Sequence, residues 1–336
     1  MSDQTELRKK AAQTRQATAL AHPNIAFIKY WGNQDHALRL PINPSLSMNL
    51  GALFTQTTVI FDDSLSHDSL TINQQDYTLD DPAYQRVRHH VDIVREWTNI
   101  STHARIESSS NFPVGSGIAS SAAAFAALSV ASSAAAGLTL TEAQLSQLAR
   151  RGSGSASRSV PTGYCEWTLG NDVDSVAVSI APPNFWDLQD VVVVVSQEHK
   201  AVGSTGGHRL ADTSSLQSAR VAGADDRLTR CREALLARDL VSMGAIIEED
   251  AVIMHGVMMS SQPPLYYWNA GTMRIIQATQ QWRAEGLPVY FTIDAGPNVH
   301  LICESAHVQA VVSAAKQLPE VQDVLVSGPG GPARLV

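Results

Sequence analysis

Three charged side chains in this chain sit among apolar or small neighbours, and a fourth segment is built like a phosphate loop. Lys29 lies in "NIAFIKYWGNQD" (24–35), otherwise the pattern of a buried strand. An ammonium buried without a partner is costly, so Lys29 implies a nearby anion, structural or bound. The alternative is a strand-end lysine whose head reaches water past Tyr30 and Trp31. Asp294, in "YFTIDAGPNVHLI" (290–302), stands between an apolar strand and a Gly-Pro turn, either as an Asx-turn residue or as a catalytic carboxylate. "ARRGSGSASRSVPTG" (149–163) sets four serines and three arginines, Arg158 among them, between glycines just after a helix. Hydroxyls and guanidinium forks suit phosphate or carboxylate, against the alternative of a solvated flexible loop. "PVGSGIASSAAAF" (113–125) places a small-residue turn before a helix, where free N–H groups and the helix dipole favour phosphate. It lacks the Gly-Lys-Ser/Thr ending of a Walker loop, and its G-x-G-x-x-S follows no apolar strand, so two familiar phosphate loops are excluded. Tight helix packing is the competing explanation. A lysine, an arginine and an aspartate in such settings together suggest one charged pocket.

The elements that must position these residues follow from periodicity. "IAFIKYW", "SLSMNLGAL" and "TQTTVIFDD" predict strands between Pro and Asn turns, and "DPAYQRVRHHVDIVREW" predicts a helix opened by Asp81-Pro82. The Ala- and Ser-rich run after the small-residue turn predicts a closely packed helix stopped at Gly137, and Thr141 caps the next. "SVAVSIAPP" and "VVVVVS" predict strands with a seam near 186. Helices are expected near 205–238, 239–259, 268–285 and 305–317, with "PVYFTID", "VHLIC" and "QDVLVS" as strands. Runs of strands followed by runs of helices predict an α+β fold. The expected division is a flexible tail over 1–18, an N-terminal domain over 19–186 with the phosphate loop, and a C-terminal domain over 187–336.

Composition narrows the function classes. The 336 residues carry a formal charge of −8, with no basic stripe for nucleic acid or an anionic membrane surface. A small anionic ligand needs only local positive charge. Three widely spaced cysteines, Cys165, Cys231 and Cys303, form neither a disulfide framework nor a CxxC metal site. The N-terminus has no apolar segment, and no stretch approaches the roughly 20 apolar residues of a membrane span. These features predict a soluble cytoplasmic protein.

"NIAFIKYWG", "NFPVGSGIASSAAAFAAL", "ARRGSGSASRS" and "DAGPN" closely resemble, in the same order, the mevalonate diphosphate decarboxylases of the GHMP small-molecule kinase superfamily. "VGSTGGHRLADTS" (202–214) and "SQPPLYYWN" (261–269) resemble further family segments. The resemblance implies an N-terminal ribosomal-S5-domain-2-like domain and a C-terminal ferredoxin-like domain with the active site in the cleft between them. The implied chemistry is phosphorylation of a tertiary 3-hydroxyl by ATP, after which phosphate and carbon dioxide leave together to form an alkene. By the same resemblance, Asp294 orients or deprotonates that hydroxyl, Lys29 neutralises charge beside it, and Arg158 binds the substrate carboxylate with Asn24 nearby. The loop with Pro113, Gly115, Ser116, Gly117 and Ala119, and with Ser120 and Ser121, would hold ATP phosphates and magnesium. Ser153, Ser155, Tyr30 and Ser204 would line the site of the substrate's 5-phosphate group. Family members are commonly homodimers.

The chain also departs from the family pattern. Diphosphate-using members carry a second lysine directly after the Trp-Gly pair, where this chain has Asn33. An amide cannot neutralise a terminal phosphate, and a lost charged contact costs about 1.5–3 kcal/mol in a desolvated pocket. A family lysine pair appears as His199-Lys200, and Thr205 stands where bacterial members often have arginine. These changes favour mevalonate 5-phosphate as substrate, giving isopentenyl phosphate, over mevalonate 5-diphosphate, giving isopentenyl diphosphate. His36, His208, Arg209 and Arg86 are the candidates for compensating charge, although each is of a type more often solvated. A kinase without decarboxylation would be expected to lose Asp294, Lys29 or Arg158, and a non-catalytic binding module would show a damaged nucleotide loop. Neither sign is present.

Overall fold

The structure is a computed structural model that describes residues 15–112, 120–197 and 202–336. The tail up to residue 14, the loop residues Pro113, Gly115, Ser116, Gly117 and Ala119, and His199-Lys200 lie outside the described residues.

The chain opens with β1 (Gln16–Ala21), β2 (Asn24–Ile28), β3 (Asn33–Asp35), β4 (Leu40–Pro41), β5 (Ser45–Asn49), β6 (Thr55–Phe61), β7 (Ser69–Ile72) and β8 (Gln75–Tyr77). Helix α1 (Pro82–Thr98) and strand β9 (Ala104–Ser110) follow, then α2 (Ser120–Ala135), α3 (Glu142–Gly152), a 3-10 turn over Gly154–Ser159, β10 (Tyr164–Trp167) and β11 (Ala177–Ala181). Strand β1 begins inside the stretch expected to be a tail. The expected strand "IAFIKYW" ends early, at Ile28, because the Lys29 backbone leaves the ladder: its N–H donates to Asp250 Oδ2 and its carbonyl accepts from Asn43 Nδ2 and Arg220 Nη2. Asn99, in the left-handed region, ends α1, and Thr141 with Gln144 forms a capping box at α3. Helix α2 is buried almost all round, which its alanines and serines permit by allowing close approach of β1 and β6.

Beyond the seam come β12 (Leu188–Val194), α4 (Ser204–Leu210), α5 (Gln217–Ala222), α6 (Ala224–Ala237), α7 (Leu240–Ser260), α8 (Ala270–Ala284), β13 (Tyr290–Thr292), β14 (Val299–Glu304), α9 (Val308–Lys316), β15 (Asp323–Ser327) and β16 (Arg334–Leu335). The single helix expected over 205–238 is three. Ser214 Oγ takes the Leu216 N–H and Thr213 Oγ1 donates to Leu210 O, so local side chains claim backbone groups that a continuous helix would need. Gly223 makes the second break.

One sheet runs β16-β1-β6-β9-β7-β8, a second β11-β10-β5-β2, and a third β13-β14-β12-β15. Strand β12 shows why the halves adhere. Its period-2 alternation sends Val192 and Val194 into a core with Phe27, Leu46 and Met48, while Val191 and Val193 pack under α8 and α9. The C-terminus then returns to the first sheet, pairing Leu335 with Ala19.

Candidate active site

Lys29 follows the last residue of β2 and is 1% exposed. Its Nζ donates to Asp294 Oδ1 at 2.6 Å and to Ala26 O at 2.6 Å. Burial pushes the ammonium below the ordinary lysine value, against the opposing pull of Asp294 and Asp250. The strand-end reading with a solvated head is therefore excluded. Arg220 and Asn43 grip the Lys29 carbonyl, Arg220 also donates to Trp31 O, and Arg227 holds Asp250 at 2.7 Å. This polar clamp fixes the lysine through its backbone rather than its amine. Gly32, two residues after Tyr30, has φ of 97° and would place a Cβ 2.5 Å from Gln217 Nε2, so the chain can turn away here only with glycine.

Asp294 follows β13, and its side chain is 22% exposed. Burial acts to raise its pKa, but Lys29, His300 and Arg158 outweigh that and hold the carboxyl below its usual range. The Gly296 N–H donates to its carbonyl, with His255 Nε2 at 3.2 Å from the same oxygen. The turn therefore uses the Asp294 backbone carbonyl and not the side chain, so the Asx-turn reading does not hold, and the carboxylate is left to meet Lys29.

Arg158, 2% exposed, lies in the 3-10 turn after α3. Its Nη1 donates to Ser45 Oγ at 2.7 Å, and its Nε and Nη2 donate to Asn24 Oδ1. Asn24 is itself held, donating to Ser155 O and Ser159 Oγ. These bonds occupy three of the five guanidinium N–H groups. Burial brings Arg158 down to about 10, partly offset by Asp294. Lys29, Arg158 and Asp294 amount to two cations against one carboxylate. A buried site with one net positive charge favours a bound monoanion such as a carboxylate.

These three side chains line a cavity of about 620 Å³. Tyr30, Ser120, Ser121, Ser153, Ser155 and Ser204 also line it, as expected from the sequence. The Ser121 and Ser153 hydroxyls are 3.1 Å apart, joining the start of α2 to the arginine-bearing turn. Gly154 allows that turn to approach Tyr30, since a Cβ there would lie 2.5 Å from the ring. Two expected contact residues are not on the cavity wall. Asn24 sits behind Arg158 as its holder. Asn33 sits behind Tyr30, accepting the Tyr30 hydroxyl hydrogen and meeting His36 Nδ1 at 3.1 Å.

The candidates for compensating charge fare differently. His208 lines the cavity, but its Nδ1 accepts the Gly32 N–H and burial lowers its pKa to about 3, so it is neutral. His36 and Arg209 are outside the lining, whereas Arg86 lines the cavity as an exposed residue and donates to Gly152 O. The cation at the Tyr30 wall is one that sequence reasoning missed, Arg39. Asp250 was missed as well. It falls on the buried stripe of α7 between Ile247 and Met254, and an acid at that spacing was a legible signal of a buried partner.

Ile72, Tyr77 and Val87 make an apolar patch on the outer cavity wall beside Ser108 and Ser110. Among the described residues, no group of three or more His, Cys, Asp or Glu could hold a metal ion. The Ser120 and Ser121 hydroxyls, at the start of α2, are described groups on the wall that could stand beside an ion that keeps waters and takes few protein ligands. The three cysteines are buried, free and pushed up in pKa by burial, so none is an activated nucleophile.

Comparison with known proteins gives two family matches: a diphosphomevalonate decarboxylase-like N-terminal domain over residues 21–179 and a mevalonate 5-diphosphate decarboxylase C-terminal domain over 190–327. The diphosphomevalonate decarboxylase of Candida albicans is 34% identical over 88% of this chain and 86% of its own length. That of Homo sapiens is 34% identical over 88% and 79%. The phosphomevalonate decarboxylase of Haloferax volcanii is 32% identical over 95% and 97%. A solved complex of MDDEF with MVAPP, AMPPCP and magnesium superposes with a TM-score of 0.90 at 34% identity, covering 96% of this chain and 98% of that one.

Proposed function

The chain belongs to the mevalonate diphosphate decarboxylase family and has its mixed α/β GHMP kinase fold, and from that premise we propose the following reading of its site. The protein is an ATP-dependent decarboxylase acting on a 5-phosphorylated mevalonate. Two domains, 19–186 of ribosomal-S5-domain-2-like type and 187–336 of ferredoxin-like type, hold the site in a cleft; the cavity wall, drawn from both halves, supports this. The carrying observation is the buried Lys29–Asp294 pair beside Arg158 in one cavity.

The Asp294 carboxylate accepts the proton of the substrate 3-hydroxyl as the oxygen forms its bond to the γ-phosphorus of ATP and ADP departs. Lys29 holds Asp294 in place and shares the developing negative charge. The C3–O bond then breaks with its electron pair to phosphate. The bond to the carboxylate breaks with its pair into the new C=C bond, releasing carbon dioxide. Arg158 orients that carboxylate through its remaining N–H donors. Magnesium, when bound, neutralises charge on the ATP phosphates, with Ser120 and Ser121 as nearby hydroxyls. The loop from Pro113 to Ala119 has the sequence of a phosphate loop, and the apolar patch of Ile72, Tyr77 and Val87 fits a nucleobase.

Mevalonate 5-diphosphate is the better supported substrate. The family name and most of the relatives found point to it, and Asn33, one of the departures on which the monophosphate expectation rested, is off the cavity wall. A second reading, mevalonate 5-phosphate, is favoured by the Haloferax volcanii relative and by the missing lysine at position 33. Ser153, Ser155, Tyr30 and Ser204 receive the phosphorylated end in either case. The buried free thiols support a cytoplasmic setting, and the family resemblance supports a homodimer. Initial rates of carbon dioxide release with Mg-ATP and equal concentrations of each phosphorylated mevalonate test the substrate: the faster rate is expected with the diphosphate, and preference for the monophosphate overturns that choice.

A further inference from the structure

The cavity has a second positive element that none of the assigned roles uses. Arg39 ends the turn between β3 and β4, in the left-handed region with φ of 54°. A non-glycine residue there carries a backbone cost. Its guanidinium is half-buried in the cavity wall, where Nε donates to Arg151 O at 3.0 Å and Nη1 reaches Thr205 Oγ1 at 3.4 Å. Among the described residues no carboxylate forms an ion pair with it. The one carboxylate on the described cavity wall, Asp294, is already engaged by Lys29.

The cavity is therefore polarised. Its inner end holds Lys29, Arg158 and Asp294, and a bound carboxylate completes that charge balance. Arg39, with the Thr205 hydroxyl beside it, lines the same cavity as Tyr30 and the Ser153, Ser155 and Ser204 hydroxyls, and no described acid pairs with it. A half-buried guanidinium beside one hydroxyl, in a cavity wall that carries others, suits phosphate, because its planar fork matches phosphate oxygens and the hydroxyls supply further donors. Burial lowers the Arg39 pKa, with Tyr30 opposing and Arg209 adding to the lowering.

We propose that Arg39 binds the 5-phosphate tail of the substrate and is a specificity-determining residue of this chain, supplying positive charge from the β3–β4 turn. The assignment rests on the decarboxylase reading, so its test has an arm independent of turnover. In the full-length protein, Arg39→Met should raise KM for phosphorylated mevalonate about 10- to 100-fold, the range for loss of a charged hydrogen bond, with KM for ATP little changed. Arg39→Lys should recover part of the loss. Calorimetric titration with inorganic pyrophosphate, with AMPPCP and magnesium already present, should show the same weakening for Arg39→Met. Wild-type turnover of no mevalonate phosphate would reject the decarboxylase reading, while the pyrophosphate titration would still report on Arg39. Unchanged KM and unchanged pyrophosphate affinity in folded Arg39→Met would overturn the assignment and leave Arg39 a strut between Arg151 and Thr205. A shift confined to KM for ATP would overturn it too. If Arg39→Met does not fold, Arg39→Gln, which can still donate to Arg151 O, carries the comparison with the same outcomes.

Discussion

Replacing Asp294 by asparagine keeps the shape of the side chain and removes one charge from the centre of the site. At the 2.6 Å separation of Lys29 Nζ and Asp294 Oδ1, and an effective dielectric of 20, the Coulomb attraction lost is about 6 kcal/mol. Part is recovered, because an asparagine oxygen still accepts from Nζ and Lys29 can shed its proton. Broken buried pairs accordingly cost about 3–5 kcal/mol, which is the loss of unfolding free energy expected in denaturant titration. The catalytic loss is separate. A general base contributes about 10²–10⁴ in rate, and the variant also leaves Lys29 without its chief anion, so kcat should fall by about 10³-fold or more. AMPPCP affinity, measured by calorimetry, should stay within a few-fold, because the serines at the start of α2 are untouched. A folded Asp294→Asn protein with kcat within tenfold of the parent would refute the proton-accepting role.

Four further outcomes are expected. Activity needs the Lys29 ammonium, whose pKa burial lowers, so kcat/KM should be present at neutral pH and lost as pH rises through a value below 10.5; an alkaline limb unaltered in Lys29→Arg would contradict this. Asp294 titrates below its ordinary 3.8, so no acid limb from this group should appear above that pH. Arg158→Lys cannot reach both Ser45 and Asn24 and still present paired donors, so KM for the mevalonate substrate should rise about tenfold or more, read by steady-state kinetics beside an unchanged KM for ATP. Asn33→Lys separates the substrate readings: the ratio of diphosphate to monophosphate turnover should be unchanged because Asn33 lies behind Tyr30, whereas a rise would tie tail selection to that position.

Much of the site was legible because its chemistry contradicts its surroundings. Lys29 amid apolar residues, Asp294 after an apolar strand and Arg158 among serines each carried a local signal, and all three converge on one cavity. What sequence could not reveal depends on long-range packing. Asp250 reaches the Lys29 N–H from 221 residues away, and Arg220 crosses a similar span to grip its carbonyl. The strand containing Lys29 ends early for that reason. Asn33 was misjudged because its identity suggested a lost contact, while only the fold shows the side chain turned behind Tyr30. Arg39 was invisible because an arginine in a polar turn reads as solvated, and its burial depends on Arg151 and Thr205 arriving from elsewhere. The break in the expected 205–238 helix reflects Ser214 and Thr213 competing for backbone groups, a local effect that periodicity alone overlooks.

The central claim is that one cavity couples phosphoryl transfer to loss of carbon dioxide. It is tested most directly by supplying Mg-ATP and carboxyl-¹³C mevalonate 5-diphosphate, with the 5-phosphate in parallel, and following ADP, phosphate and ¹³CO₂ together. Equal amounts of all three, formed at the same rate, are the expected result. ADP accumulating without ¹³CO₂ from either substrate would show phosphorylation alone and contradict the account.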